Sequence, residues 1–286
     1  GIATQNLVYV ATVTVCYWCF SSWRPTFHLD FTPLKGMLSF SSKLLLTNIF
    51  GHINNNLFSV ILGKFYSETE VGYFGQANKW NMMGHSLITG MVNGVAQPVL
   101  AQVSDDKERQ SRVFRKMLRF TAFISFPAMF GLSLVAPELI TIAITDKWAA
   151  SAEILRLLCI SGAFIPIITL YSNLLISKGK SNVYMWNTIC LGMTQLLVML
   201  LLYPYGIHTM VLVYVLINIV WLLVWHYFVW REIRLRLFQA LKDIMPFAVI
   251  SGGIMIATYY ITLFMQNIYL LFVCTLPKAV FLNQFQ

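Results

Sequence analysis

The sequence has few charged residues: Asp, Glu, Lys and Arg make up 11% of its 286 residues, whereas a soluble domain contains about 25%. This deficit excludes an ordinary soluble enzyme. It also excludes a disordered chain, because disorder requires many charged and few apolar residues. Hydrophobic residues make up 58% of the sequence, in continuous runs and not in the short alternating segments of a transmembrane barrel. The composition therefore predicts an all-α, polytopic membrane protein.

Carboxylates are absent from the centres of the apolar runs, since all eleven Asp and Glu residues fall in predicted loops or at predicted span ends. Proton and sodium pumps commonly use an intramembrane carboxylate. Membrane hydrolases and transferases need acids, a metal cluster or a nucleophile with its base. We therefore expect no enzyme activity, no catalytic residues and no cofactor. Any ion coupling would depend on His52, His85 or a part of the protein outside this sequence.

Cysteine is scarce, and its pattern does not indicate a site. The five cysteines all lie in apolar stretches, where they act as small apolar side chains. Cys16 and Cys19 form a C-x-x-C motif, but no second cysteine pair or histidine accompanies it. His52 and His85 lie on different predicted helices, without a nearby carboxylate or thiolate. We therefore expect no metal site.

Nine apolar runs are candidates for crossing a membrane, which takes about twenty residues in a helix. Tight junctions at Pro204–Gly206 and Asn267 predict antiparallel helix hairpins. Pro98, Pro127 and Pro166 lie inside predicted spans, where we expect kinks. The nine predicted spans are Ile2–Phe20, Met37–Gly63, Ala77–Val103, Leu118–Val135, Ile154–Ser177, Val183–Tyr203, Ile207–Trp230, Ile244–Gln266 and a short run from Ile268 onward.

Basic residues are concentrated in alternate loops. If the loop after the first span is cytoplasmic, that side of the membrane receives most of the 20 Lys and Arg residues, as cytoplasmic loops usually do. The net charge of +9 then indicates orientation and contact with anionic lipid, and not nucleic-acid binding. The runs 105–119 and 231–243 predict two amphipathic helices on this face. Their cations either steady the topology or meet a phosphorylated lipid head group.

The second and third predicted spans carry most of the intramembrane polar residues. Asn55 belongs to a stripe at i+4 spacing on the second span, and Asn81 and His85 begin another on the third. Such residues usually face a cavity or a partner helix. Interhelical hydrogen bonds are one interpretation, and a hydrated cavity, favoured by two lysines and two histidines, is the other. The predicted substrate-binding residues are Lys43, Asn48, His52, Asn55, Asn56, Lys79, Asn81 and His85.

Short motifs fall in a fixed order between Trp23 and about Lys180. They include Phe40–Leu46, Asn55-Asn56, Gly63–Ser67, Gly72–Asn78, Asp106–Arg109, Phe126-Pro127, Asp146–Trp148 and Lys178–Ser181. Together they resemble the Wzx-type polysaccharide exporters, which are the lipopolysaccharide biosynthesis flippases of the multidrug/oligosaccharidyl-lipid/polysaccharide superfamily. Beyond this part of the chain the similarity lies mainly in hydropathy.

The resemblance implies a MATE-like fold of two six-helix lobes with two extra C-terminal helices. On that basis we expect a chain without its N-terminal half. Residues 1–36 would form the last helix of the first lobe and a cytoplasmic linker, and residues 37–230 the six-helix second lobe. Residues 231–286 would form an interfacial helix and the two extra helices, the last one truncated.

The function implied by the resemblance is the flipping of undecaprenyl-diphosphate-linked oligosaccharide across the bacterial inner membrane by alternating access. In this reading the lysines attract the diphosphate and the amides bond the sugars. The implied partners are the lipid-linked substrate, membrane lipids and the missing first lobe. A MATE-like multidrug or organic-ion exporter is an alternative that predicts an acidic cavity. A membrane-embedded glycan polymerase or ligase predicts large charged periplasmic loops, and a purely structural subunit would not need a polar cavity.

Overall fold

A computed structural model of the chain describes residues 2–21, 38, 41–42, 45–47, 49–51 and 60–263. Every regular element among these residues is helical, which confirms the predicted fold class. The chain divides into two compact units, Gly1–Ser42 and Lys43–Gln286. The longer helices are α1 (Ile2–Phe20), α2 (Glu68–Gln102), α3 (Lys107–Leu134), α4 (Ala136–Ala143), α5 (Ala149–Gly162), α6 (Ile165–Ser177), α7 (Ser181–Leu202), α8 (Ile207–Ile233) and α9 (Leu237–Leu263).

Among the described residues, five helical segments are long and apolar enough to cross a membrane. They correspond to the fourth to eighth predicted spans. Helix α1 has the bounds predicted for the first span, and α2 contains nearly all of the third, but neither is among the five. The second and ninth predicted spans lie mostly or wholly outside the described residues, so the total of nine stays a prediction. The five segments are Lys107–Leu134, Asp146–Ser177, Ser181–Tyr205, Ile207–Ile233 and Leu237–Tyr260.

Local hydrogen bonds define where α2 and α3 begin. Ser67 and Glu70 form a capping box at α2, with the Ser67 hydroxyl accepting from the Glu70 N–H at 3.3 Å. The Asp106 carboxylate caps α3 by accepting from the Arg109 N–H at 3.0 Å. This hydrogen bond lowers the pKa of Asp106. Both helices therefore start at side chains that satisfy their first free N–H groups.

The basic run 105–119 does not form a separate surface helix as predicted. Residues 107–119 are the first three turns of α3, which continues without a break into the apolar segment. The reason is that Phe114 and Leu118 are fully buried in the core, so the run packs against the bundle on one side. Its cations occupy the other side of the same helix.

Residues 231–243, predicted as an interfacial helix, also do not form a separate helix. Helix α8 continues to Ile233, and Arg234 ends it in the left-handed conformation at φ 55°. Helix α9 then begins at Leu237 and runs unbroken into the membrane segment. Ala240 and Ile244 are buried, and α9 packs along α3. The amphipathic pattern therefore belongs to the first turns of a packed helix.

The three proline positions have different outcomes. Pro98 and Pro127 lie inside α2 and α3, as predicted. Pro166 lies in the first turn of α6, after α5 has ended at Gly162, so it starts a new helix. Proline is favoured in a first turn because its missing N–H would have no helical partner there. The fifth predicted span is thus two helices in one membrane segment.

The basic loops lie at one end of the second unit, as the loop pattern predicted. At this end the Lys178 ammonium donates to the carbonyl of Ser104, which joins two loops far apart in sequence. At the other end the Tyr66 hydroxyl donates to the carbonyl of Tyr203 at 2.6 Å. The side of the membrane that each end faces stays a prediction. The basic end comprises loops 103–106, 178–180 and 234–236, and the opposite end comprises loops 144–148 and 203–206.

Helix α2 packs against α3, α5 and α6. Its buried face includes Ala77, Ala96 and Leu100, each fully inaccessible. Helix α9 packs chiefly on α3, where Phe123 and Phe247 meet edge to face with ring centroids 5.8 Å apart. Helices α2, α3 and α9 together form the walls of a groove.

Candidate functional site

A groove of about 850 Å³ opens beside α3 near the basic end of the unit. Its α2 wall is entirely apolar, its α3 wall changes character along the helix, and α9 contributes one aromatic ring. We call it the cation-rimmed groove. It is lined by Ile88, Met91, Val92, Val95, Arg112, Arg115, Lys116, Met117, Arg119, Phe120, Thr121, Phe123, Ile124 and Phe247.

Four of the lining residues are cations, and all four lie on α3. Arg112, Lys116 and Arg119 are exposed and Arg115 is half-buried. Residues at i+3 and i+4 share one side of a helix, so this side carries positive charge nearest the basic end. Phe120 and Phe123 continue the same side deeper into the span. The groove therefore presents cations at one end and an apolar surface along its length.

A buried carboxylate holds two of these cations in place. Asp243 of α9 is 4% exposed, and Arg115 donates to it from Nε at 2.6 Å and from a terminal nitrogen at 3.1 Å. The Nε of Arg119 lies 3.4 Å from the same carboxylate. A two-pronged bond between ionised groups is among the strongest side-chain interactions. Asp243 thus fastens α9 to α3 and neutralises one of the four positive charges.

Arg112 and Lys116 have no comparable partner. Within the part of the chain that the structure describes, no ion pair of 4.0 Å or less involves either side chain. Arg112 interacts with the Asp106 carboxylate only at a longer range, so both side chains can still bind an anion from outside the protein. Because a groove with apolar walls weakens water screening, this positive field is stronger than on a flat surface.

The Asp243 pair leads to a stability prediction. Asp243→Ala is expected to lower the free energy of unfolding by about 1.5–3 kcal/mol, because it removes a charge-assisted hydrogen-bond pair from a buried position. Glu232→Gln is the matched control, since its carboxylate lies 3.8 Å from Lys180 at a more exposed site. Exposed pairs contribute about 0–1 kcal/mol. Unfolding in detergent measures both variants, and equal losses would contradict the role given to Asp243.

The structure separates the predicted binding residues that it describes. Lys43, Asn48, His52, Asn55 and Asn56 lie outside the described residues. Of the remaining three, Asn81 is 4% exposed, His85 is half-buried and Lys79 is exposed.

Lys79 and Asn81 do not share a surface. Two residues along a helix correspond to a rotation of about 200°, so their side chains leave α2 on nearly opposite sides. Asn81 lies against α5, where a Cβ built at Gly162 would overlap its Oδ1 atom. Neither residue lines the cation-rimmed groove. Their proposed contact with substrate stays a prediction.

Part of the polar stripe on α2 joins two helices. The Nδ2 of Asn173 on α6 donates to the Oδ1 of Asn93 at 2.9 Å, which is the interhelical hydrogen bond of the first interpretation. Further along the stripe, buried atoms of Asn81, His85 and Thr89 have no hydrogen-bond partner among the described residues. At Asn93 the stripe therefore joins two helices. Its atoms at Asn81, His85 and Thr89 make no hydrogen bond, within the described part of the chain, that would assign them to helix packing.

The groove residues were visible in the sequence as a basic run, but not as part of a site. Their spacing indicated a lipid-facing or solvated helix side, and the sequence could not show which helix lies across from it. Asp243 gave no signal, because a single acid among basic residues is typical of a surface loop. The described residues also contain no cluster of three or more His, Cys, Asp or Glu side chains suited to a metal ion.

Comparisons with known proteins place this fold and site in context. A family model described as "Polysaccharide biosynthesis protein" matches residues 1–153, which is more than half of the chain. An uncharacterized membrane protein in the cps region of Klebsiella pneumoniae is 31% identical over 147 residues, covering 51% of this chain and 30% of that protein. The teichuronic acid biosynthesis protein TuaB of Bacillus subtilis (strain 168) is 24% identical over 252 residues. The aligned region covers 87% of this chain and 52% of TuaB.

A further relative and a solved structure are also similar to this chain. The lipopolysaccharide biosynthesis protein WzxC of Escherichia coli (strain K12) is 24% identical to this chain. The aligned region covers 61% of this chain and 35% of WzxC. The lipid II flippase MurJ, in an inward closed conformation, has the same fold with a TM-score of 0.68 at 17% identity. The match covers 89% of this chain and 54% of MurJ. The chain thus spans about half or less of the proteins that it matches.

The family match, the relatives and the helical bundle agree with the resemblance read from the motifs. Five apolar helical segments among the described residues are suited to the membrane, and two relatives are named for the biosynthesis of teichuronic acid and of lipopolysaccharide. The chain therefore belongs to the polysaccharide biosynthesis protein family, as a multi-span membrane protein.

Proposed function

We propose that this chain is part of a flippase that moves a lipid-linked oligosaccharide across the bacterial cytoplasmic membrane. The cargo is an amphiphile with a diphosphate between an apolar polyprenyl chain and a sugar head. The chain itself performs no chemical step, since translocation leaves every covalent bond of the cargo intact. The polysaccharide biosynthesis family, the relative named for lipopolysaccharide biosynthesis and the fold shared with the lipid II flippase MurJ support this proposal.

The single observation that carries the proposal is the cation-rimmed groove. Arg112 and Lys116 offer the diphosphate two charges that form no ion pair of 4.0 Å or less among the described residues. Val92, Phe120 and Phe123 offer the hydrocarbon chain an apolar wall. A charged head and an apolar tail thus find matching surfaces along one continuous groove. The cargo's head would lie at the basic end, which the positive-inside rule assigns to the cytoplasm.

The proposed second lobe needs a first lobe to complete the transport cycle. The chain spans 52% of TuaB and 54% of MurJ, so a partner bundle of similar size is part of our proposal. Alternating access requires two bundles that rock against each other around the cargo. We therefore propose that this unit binds the cargo and that closure occurs against a preceding lobe.

The charge of the groove argues against the alternative exporter. An exporter of organic cations needs carboxylates that attract its substrate. In the cation-rimmed groove, all four charged lining residues are basic, and Asp243 is engaged by Arg115 and Arg119. The groove therefore favours an anionic cargo over a cationic drug.

The test of the proposal is the fate of the lipid intermediate in a strain that lacks the gene encoding this chain. We expect diphosphate-linked oligosaccharide to accumulate in the cytoplasmic leaflet and surface glycan to fall, and the intact gene to reverse both effects. Extracted lipids are quantified by mass spectrometry. Normal intermediates and normal surface glycan, in a strain without a second flippase, would contradict the proposal.

A further inference from the structure

A second groove, of about 450 Å³, lies toward the opposite end of the unit. It is bounded by the ends of α3 and α9 and by the middle of α5. We call it the Arg156 groove, because Arg156 is the charged member of an otherwise neutral lining. It is lined by Ser133, Leu134, Arg156, Leu157, Ile160, Met255, Ile256, Tyr259 and Tyr260.

Arg156 is held in the groove by neutral contacts. Its guanidinium carbon lies 6.0 Å from the centroid of the Tyr259 ring, in the geometry of a cation–π contact. Its own carbonyl accepts from the Ser133 hydroxyl at 3.2 Å, which fixes α5 against the end of α3. The Tyr259 ring thus contacts the guanidinium without neutralising its charge.

No carboxylate balances this cation among the residues that the structure describes. Glu153 is one turn away on α5, but its carboxylate lies 3.9 Å from the Nε2 of His208 and is 71% exposed. No ion pair of 4.0 Å or less involves Arg156 in the described ranges. Arg156 also lies inside the apolar segment Asp146–Ser177. A charged side chain in a membrane segment is costly unless a partner or water compensates it.

We propose that the Arg156 groove binds one anionic phospholipid from the membrane leaflet at the opposite end. The lipid phosphate lies against the guanidinium, which has donors in the fork geometry that suits phosphate oxygens. The Tyr260 hydroxyl is a further donor for the head group. An acyl chain lies along Leu157 and Ile256. The volume is within the roughly 300–1,000 Å³ of small-molecule sites.

The number of charges distinguishes this ligand from the proposed cargo. A phosphodiester such as that of phosphatidylglycerol carries one negative charge, which matches one arginine. A diphosphate carries more and matches the other groove, where Arg112 and Lys116 form no ion pair of 4.0 Å or less among the described residues. The occupant is therefore a resident phospholipid, and its binding does not depend on whether the protein moves oligosaccharide.

Native mass spectrometry of the purified full-length protein in detergent tests this assignment. The probes are phosphatidylglycerol and phosphatidylcholine with the same acyl chains. We expect the wild type to retain one phosphatidylglycerol in preference to phosphatidylcholine. Arg156→Gln should weaken this binding roughly tenfold, and Arg156→Lys, which keeps the charge, by less than about threefold. Tyr260→Phe should weaken phosphatidylglycerol binding by a smaller factor. This variant replaces Arg156→Gln in the test if Arg156→Gln does not fold.

Lys147→Gln is the matched control, because it removes a cation from the same end of the unit but does not line the groove. It should leave the tight phosphatidylglycerol site unchanged. Equal binding by the wild type and Arg156→Gln would overturn the assignment, as would equal retention of the two lipids. No binding by the wild type would overturn it too, since another part of the chain would then fill the groove. Displacement by equimolar undecaprenyl diphosphate would overturn the choice of a resident phospholipid.

Discussion

Arg112→Gln combined with Lys116→Gln is expected to reduce glycan export by roughly tenfold or more. These two cations line the groove, and neither forms an ion pair of 4.0 Å or less among the described residues. A charge-assisted hydrogen bond contributes about 1.5–3 kcal/mol, and about 1.4 kcal/mol corresponds to a tenfold change. The double variant should therefore accumulate lipid-linked oligosaccharide and lose surface glycan, both measured in the complemented deletion strain.

The matched control removes two charges from the same end of α3. Lys107 and Arg109 lie in its first turn and do not line the groove. Lys107→Gln with Arg109→Gln makes the same change in net charge, so it reports any effect on membrane orientation. We expect less than a twofold loss of export from the control pair, with normal abundance of both proteins in the membrane.

The two pairs together decide what the cations do. A loss confined to Arg112 and Lys116 supports a head-group contact in the groove. An equal loss in both pairs would contradict it, because the cations would then act only through topology. Lys116→Arg refines the test, since it keeps the charge and adds donors. It should export at a rate close to the wild type.

The helices were predictable from sequence because lipid imposes a strict rule on the backbone. A segment in hydrocarbon must satisfy its N–H and C=O groups internally, so twenty apolar residues specify a helix whatever it packs against. This is why the fourth to eighth predicted spans are all helical and why the turn at Tyr203–Gly206 lies where its proline and glycine indicated. Gly206, at φ 90°, adopts a conformation that other residues rarely reach.

The pairing of helices was not predictable in the same way. The basic run 105–119 is amphipathic, but amphipathicity does not reveal whether the apolar side meets lipid or protein. Phe114 and Leu118 meet protein, so the run became the start of α3. The partner of Arg115 is 128 residues away, and hydropathy contains no information on such a contact. The groove therefore could not be predicted from the sequence, because its lining comes from three helices, α2, α3 and α9.

A second strong effect is expected at Gly162, where α5 approaches the predicted binding residue Asn81. A Cβ at this position would lie 2.5 Å from the Cε of Met129 and would also overlap Asn81 Oδ1. Met129 is fully buried and Asn81 is 4% exposed, so neither side chain can move into open space. Gly162→Ala should therefore lower the free energy of unfolding by about 1–3 kcal/mol, as overpacking in a core does.

Two further variants show whether this overlap is the cause. Asn81→Ala, made together with Gly162→Ala, removes the Oδ1 atom and should restore part of the lost stability. Gly94→Ala is the control, because that glycine also lies in a helix but has no atom within 4 Å of a built Cβ. It should be neutral or stabilising by about 0.5–1 kcal/mol. Unfolding in detergent measures all three proteins.

The same variants separate packing from substrate contact at Asn81. If Asn81 only fills the space beside Gly162, then Asn81→Ala alone should change stability slightly and leave export intact, since its Oδ1 has no hydrogen-bond partner among the described residues. If it contacts sugar, as the polar stripe predicted, export should fall severalfold while the unfolding midpoint stays near the wild type. Loss of stability in Gly162→Ala that Asn81→Ala does not relieve would place the strain at Met129. The close approach of α2 and α5 would then depend on that methionine. Asn81 would not be needed for packing there, and a contact with the sugar would remain compatible with its position.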